Sequence, residues 1–386
     1  MVVPFVDGDF AHRVLRPDRP IGDLAWNAPA RFRATVTTPL GLRVVTNGVD
    51  RPVDAPEGQQ AVAVDADGVG DLVVVASRDW VVAERDVGGV RLRSWARARD
   101  KAAGRAVLDE GEAALRWLEA HLGRYPFTEL DLVEASLVGG AGGVEFGGMA
   151  LVGGFLYRDP AAGPLLSGLG VDLSGATAQL GQERAFVVAH EVAHQWAPGL
   201  VDVDAWNHPI VDEPLAQYLA WRVRTEGRPA AEAAALRKRS VDGAYAMHRM
   251  LGGRDGAADR PTSAFTSQLE YAALVYGKAP GLYFALEDAV GRPALDGALE
   301  AAFRSQAWRT VGPDAWLAAL EAGGAPGAVA LGQRWWHEAH GDADLGVDPA
   351  QGAGLDALLG PGGAEQLQQL LGPAGGAGLL QQLLPG

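Results

Sequence analysis

The chain has 386 residues, a formal net charge of −15, 48% hydrophobic residues and no cysteine. That length allows two or three domains and a sizeable core. The acidity argues against a nucleic-acid partner, which requires clustered Lys and Arg, and the lack of thiols excludes disulfides and thiolate metal ligands.

At the N-terminus the first thirty residues show no charged-then-apolar leader. No run anywhere reaches about 18 apolar residues, so a soluble, cytoplasmic protein without a transmembrane segment is expected. Residues 1–100 read as a shortened β-rich domain: 31–38, 42–47, 71–76 and 89–94 are rich in Val and Thr, with Gly, Pro, Asp and Asn between them. The first strong helix is expected at 105–122. Its apolar residues Val107, Leu108, Leu115, Leu118 and Leu122 keep helical spacing, and Gly123 suits the cap. Next comes Gly142-Gly143-Val144-Glu145-Phe146, where paired glycines let the backbone approach an extended peptide closely and Glu145 offers a carboxylate to a cationic amine. A glycine-rich turn with a solvated Glu is the competing reading. Residues 154–180, rich in Gly, Pro and Leu, read as a loop covering or flanking a cleft.

The strongest signal follows. His190-Glu191-Val192-Ala193-His194 places two imidazoles at i and i+4 on one helix face, where both reach one metal, with Glu191 beside them to polarise a water. A three-ligand zinc site needs one more donor. Glu213 supplies it after 18 intervening residues (195–212), enough for the helix to end and a second one to begin with Pro214 in its first turn. Asp212 is expected to cap that second helix, which runs to about Arg224. His208, in the loop between the two, carries no ligand spacing.

Further helices are expected at about 230–250, 269–290, 292–305, 313–322 and 328–339. His337 and His340 read as a solvated face near a helix end. Residues 343–386 form a low-complexity tail in which Leu358-Leu359-Gly360-Pro361 recurs as Leu370-Leu371-Gly372-Pro373. It reads as a disordered or weakly helical appendage, with a short amphipathic anchor as the alternative.

Taken together, His-Glu-Val-Ala-His-Gln-Trp followed by Asp212-Glu213-Pro214-Leu215-Ala216 resembles the aminopeptidase N family of zinc metallopeptidases, the gluzincins that include leukotriene hydrolase. Other segments fit in order across roughly 30–340. The 142–146 run is similar to that family's Gly-Ala-Met-Glu-Asn exopeptidase motif, with Val144 and Phe146 in place of Met and Asn. Gly123-Arg124-Tyr125-Pro126-Phe127 and Leu130-Asp131-Leu132-Val133-Glu134 resemble the strand lead-in, and Val275-Tyr276-Gly277-Lys278-Ala279 resembles the segment bearing the catalytic tyrosine. The resemblance implies an α+β multidomain protein. An abbreviated N-terminal β-domain, or one whose start lies outside this sequence, would precede a thermolysin-like, mostly helical catalytic domain at 101–342.

It further implies one zinc ion held by His190, His194 and Glu213, with Glu191 as general base and Tyr276 as oxyanion donor. Glu145 would anchor the free amine of a peptide substrate, with Gly142 and Gly143 bordering it. Tyr271 stands five residues before Tyr276 and would join Gly142, Gly143 and Glu145 in binding substrate, a spacing that faces the same site only through an irregular turn; an ordinary core tyrosine is the competing reading. The leading expectation is therefore a zinc aminopeptidase. A zinc endopeptidase of the same clan, a zinc site serving a non-peptide substrate, and a non-catalytic scaffold on a peptidase fold are the alternatives.

Overall fold

The computed structural model describes residues 21–23, 25–137, 141–158 and 174–348. The tail from 349 onward, His12 and the middle of the expected cleft loop lie outside the described residues. The chain divides into two compact units. Among the described residues, one is built from those within Asn27–Ala120 and Arg124–Leu200, the other chiefly from those after Leu200 together with His121–Gly123.

The first unit carries ten strands among its described residues: β1 (Ala30–Pro39), β2 (Arg43–Thr46), β3 (Val49–Val53), β4 (Gln59–Val69), β5 (Val74–Ser77), β6 (Trp80–Val87), β7 (Val90–Arg97), β8 (Glu129–Ala135), β9 (Gly143–Phe146) and β10 (Met149–Gly153). Strand β1 alternates, with Phe32, Ala34, Val36 and Thr38 half-buried and their neighbours exposed, as expected of a sheet with one wet face. It pairs with β4, and β4 with β3, while β2 and β5 form a separate pair. The sequence reading anticipated β1, β2, β5 and β7 but not β3, β4 or β6, whose charged and small residues dilute the Val-rich signal.

The larger sheet has the order β6-β7-β8-β10-β9. Its centre, β8, runs parallel to both β7 and β10 and is buried on both faces, so burial is continuous from Leu130 to Glu134, the acids Asp131 and Glu134 included, instead of alternating. Helix α1 (Lys101–Leu122) makes the crossover from β7 to β8 and buries Val107, Leu108, Leu115 and Leu118. It approaches the sheet closely because Gly104 and Gly111 lack side chains; a Cβ at either would overlap Ala96 or Leu132. Helix α2 (Ser174–Ala193) closes the unit. It begins within the stretch read as loop up to residue 180: a leading serine and glycine and the small residues after them hide the helical period there.

The second unit is helical: α3 (Glu213–Thr225), α4 (Ala230–Ser240), α5 (Gly243–Met250), α6 (Gln268–Tyr271), α7 (Gly281–Val290), α8 (Arg292–Gln306), α9 (Pro313–Gly323), α10 (Ala328–Gly332) and α11 (Gly341–Leu345). The helix expected at 230–250 breaks at Val241–Asp242 into α4 and α5. The one expected at 269–290 is α6 and α7 joined by a π-helix, Ala272–Lys278. Arg222, nearly inaccessible, ties α3 to α8 by a two-pronged contact with Asp296 at 3.0 and 3.1 Å, and donates to Tyr218 Oη at 2.9 Å. Among the described residues no helix is long and apolar enough to cross a membrane.

Buried charge in the first unit has a measurable consequence. Asp131 on β8 receives Arg93 through two bonds of 2.7 Å and Trp95 Nε1 at 2.7 Å. Glu134, further along β8, accepts the Arg97 N–H at 2.7 Å, and burial, with Asp100 nearby, pushes its carboxyl up to about 7. An acid raised this way stays protonated in the fold after the unfolded chain has ionised, so stability is lost as pH rises from about 4.5 to about 7. Glu134→Gln keeps an acceptor for Arg97. It is expected to raise the unfolding free energy by on the order of 2 kcal/mol at pH 8 and much less at pH 5. Urea denaturation at both values checks this, and an equal gain at the two would refute it.

Candidate metal centre

Helix α2 delivers His190 and Glu191 in its last turn, and His194 follows directly after it. Here the backbone tightens: His194 N bonds to His190 O four residues back, but Gln195 N and Trp196 N reach only three back, to Val192 O and Ala193 O. His190, Glu191 and His194 are all buried. The ring nitrogens His190 Nε2 and His194 Nε2 lie 3.1 Å apart. His194 Nδ1 is 2.9 Å from Ala197 O, and since a carbonyl only accepts, Nδ1 carries the proton and Nε2 keeps its lone pair.

Two imidazoles bound at ~2.05 Å in tetrahedral geometry stand about 3.3 Å apart, close to the separation found. The donor set completes the test of fit. His190 and His194 in the first unit and Glu213 in the second, each buried, offer two neutral nitrogens and one carboxylate, a donor set whose chemistry suits zinc.

Within the first unit, β9 lies at the edge of its sheet, paired only with β10 among the described residues. A Cβ on Gly143 would overlap the Glu191 carboxyl, so this strand faces the motif helix at van der Waals range. Because side chains alternate along a strand, Glu145 shares the Gly143 face. Phe146 points the other way and packs onto the cluster of Val45, Trp80, Trp95, Val133 and Met149. Where the resembled motif has an amide, this chain therefore has a core residue. Gly142 sits against Val187, 3.0 Å from where its Cβ would be.

Glu213, in the second unit, is the first residue of α3, and Asp212 Oδ1 accepts its N–H at 2.8 Å, the expected cap. Pro214 follows in the first turn, where its missing donor costs nothing. Tyr276 Oη donates to Glu213 Oε1. Burial, and then the Glu213 charge, hold the phenol well above its usual range, so it stays a proton donor through neutral pH.

The irregular turn required by Tyr271 is the π-helix. With hydrogen bonds spanning five residues (Ala279 N to Leu274 O, 3.0 Å), positions i and i+5 stack, and the two tyrosine rings stand 5.6 Å apart at 72°. Two features hold this segment. A Cβ on Gly277 would come 2.8 Å from Tyr245 N, and Lys278, fully buried, donates to Asp255 at 2.8 Å and to Gly256 O and Glu338 O at 2.6 Å each.

Of the remaining histidines, His208 Nδ1 donates to Asp259 at 2.8 Å, His337 stands 3.8 Å from the same carboxylate, and His340 is 2.9 Å from Glu338. Sequence reasoning passed over Gln195, which is fully buried and hydrogen-bonded at both ends of its carboxamide. Its signal was a lone amide inside an otherwise apolar helix end. The Gly143–Glu191 contact is testable without any assay of function. Gly143→Ala should cost about 1 kcal/mol by overpacking, and the cost should vanish in a Glu191→Ala background. Denaturation of the four proteins of this cycle measures it, and an equal cost in both backgrounds would mean that the two residues do not touch.

Comparison with known proteins agrees with this layout. The sequence model for the Peptidase family M1 domain matches residues 109–333, a span that holds every residue named for the candidate centre. The expected resemblance began earlier, near residue 30. Over 156 residues, 37% of this chain and 17% of the relative, the sequence is 31% identical to Aminopeptidase N of Lactococcus lactis subsp. lactis. Over 205 residues, 50% of this chain and 22% of the relative, it is 25% identical to Aminopeptidase M1-C of Oryza sativa subsp. japonica. The chain thus matches about a fifth of the length of these curated relatives. On the extent of the matched domain, the chain belongs to peptidase family M1.

Proposed function

We propose that the protein is a zinc-dependent aminopeptidase, hydrolysing the N-terminal residue from peptides. One observation carries this reading: paired imidazoles with Nε2 atoms 3.1 Å apart stand at the end of a helix whose Glu191 abuts the glycine of an edge strand bearing Glu145. The catalytic domain in this reading is residues 101–342, following the β-rich residues 1–100. His190, His194 and Glu213 hold the zinc, which when bound supplies Lewis-acid polarisation and a water of lowered pKa.

The protein's own groups do the rest. Glu191 takes the proton of the attacking water and passes it to the leaving amine. The Tyr276 phenol, kept neutral by burial, offers its proton as a hydrogen bond to the oxygen that gains charge. Tyr271 buttresses that phenol edge-on. Glu145 pairs with the free α-ammonium, fixing which peptide bond is cut, while Gly142 and Gly143 leave room for the substrate backbone beside β9. An M1 domain match and two relatives named as aminopeptidases support the assignment.

The test is release of a chromophore from free-amine aminoacyl amides and from N-acetylated copies, with and without chelator, and with zinc restored. Cleavage of the free-amine set alone, abolished by chelator and recovered with zinc, is the expected outcome. Cleavage of the blocked set would establish an endopeptidase, and zinc binding without any cleavage would establish a scaffold. In the active protein, Glu191→Gln should lower kcat by roughly 10²–10⁴-fold with zinc retained. Tyr276→Phe should lower it by roughly 10²–10³-fold. Glu145→Ala should mainly raise KM for free-amine substrates, by about 10–100-fold.

A further inference from the structure

Two consecutive glycines, Gly147 and Gly148, join β9 to β10, with Gly148 at φ 82°. A diglycine turn has the most backbone freedom a turn can have, so local sequence does little to fix where β9 lies. Tertiary contacts must hold it. Asn47 does so from the β-rich side, donating through Nδ2 to Gly147 O at 3.2 Å. Gln195 does so from the metal-binding segment. Its Nε2 donates to Phe146 O at 3.0 Å, and its Oε1 accepts Gly148 N–H at 2.8 Å, so one carboxamide grips the backbone on both sides of the turn. Tyr125 Oη gives its one proton to Glu129 O at 2.9 Å and stands 3.4 Å from the same Oε1.

The other end of β9 meets the same helix through the close approach of Gly143 to Glu191 and of Gly142 to Val187. Glu145 lies between these two attachments, one a van der Waals seat beside the general base, the other a pair of hydrogen bonds from the residue after His194. A single rigid piece thereby carries both the imidazole pair and the carboxylate proposed to fix the substrate's amine.

We propose that Gln195 is a positioning residue: by clamping the Phe146–Gly148 turn to the segment that carries His194, it sets the distance from Glu145 to the metal-binding imidazoles and so the placement of the substrate's terminal amine. This rests on the aminopeptidase reading above and deepens it. It makes Gln195 act through Glu145 and not on the reacting atoms.

Two measurements test it. Hydrogen exchange at the Gly148 amide should be protected in the wild-type holoenzyme and should accelerate at least tenfold in Gln195→Met, which keeps the volume of the side chain but neither bond. In kinetics on free-amine amides, Gln195→Met should raise KM about tenfold and lower kcat less, with bound zinc unchanged. In a Glu145→Ala background the same substitution should change kcat/KM by less than about twofold, because the group it positions is gone. Gln195→Asn, shorter by one methylene, serves if the Met variant does not fold. Equal losses in both backgrounds, or unaltered exchange at Gly148, would overturn the proposal. A wild-type holoenzyme inactive on every free-amine substrate would instead overturn the aminopeptidase reading and the role given to Gln195 with it, whereas an active wild type with uncoupled variants would overturn the role alone.

Discussion

A carbonyl oxygen just past the end of a helix governs the chemistry available to this protein. Ala197 O takes the Nδ1 proton of His194, which obliges the other nitrogen to face inward as a lone pair, 3.1 Å from its neighbour on His190. For that carbonyl to reach back, the chain has to leave α-helical geometry at once, and the switch from four-residue to three-residue hydrogen bonds after His194 does this. The same tightening sends three successive side chains in three directions. His194 turns to its partner imidazole, Gln195 to the hairpin turn, and Trp196 into the core against Tyr125, ring centroids 5.9 Å apart. An imidazole, a carboxamide and an indole with three different partners come from one turn of backbone.

The chain is strongly acidic overall, and three cations are nevertheless buried among its carboxylates: Arg93 in the first unit, Arg222 and Lys278 in the second. Each is met by carboxylates or carbonyls at 2.6–3.1 Å. Such pairs seldom add much net stability against well-packed apolar residues, but breaking one leaves a stranded charge and is costly. They therefore behave as locators. Lys278 locates the end of the π-helix two residues after Tyr276, and Arg222 locates α3 after its first residue, Glu213, has been set by the cap. The glycine and lysine that flank the tyrosine motif have plain physical reasons to be there: one admits the backbone of α5, the other fastens the turn.

Features with short-range signatures could be read from the sequence. His190, Glu191 and His194 declare themselves by spacing, Asp212-Glu213-Pro214 by capping chemistry, and α1 by its apolar stripe. What escaped depended on partners far along the chain. Strand β6 was hidden because Glu84, Arg85 and Asp86 interrupt its apolar pattern, although pairing with β7 stabilises it. The start of α2 was hidden behind small residues. Gln195 was passed over because an amide's role is defined by the backbone it meets, here 47 residues earlier at Gly148. Phe146 was noted as a departure from the resembled motif, but only the alternation of β9 about the buried cluster explains it.

The π-helix leaves its own mark on how this protein tolerates change. Tyr271 and Tyr276 face each other only because one extra residue is accommodated per turn, and each residue of an ordinary helix turns the chain by about 100°. Were the segment to relax into a regular helix at its present length, the second tyrosine would swing by roughly 100° around the axis without any side chain being altered. Losing one residue would instead set the pair at i and i+4 and keep both rings on one face. The wide turn is therefore what lets five residues do here what four do in an ordinary helix.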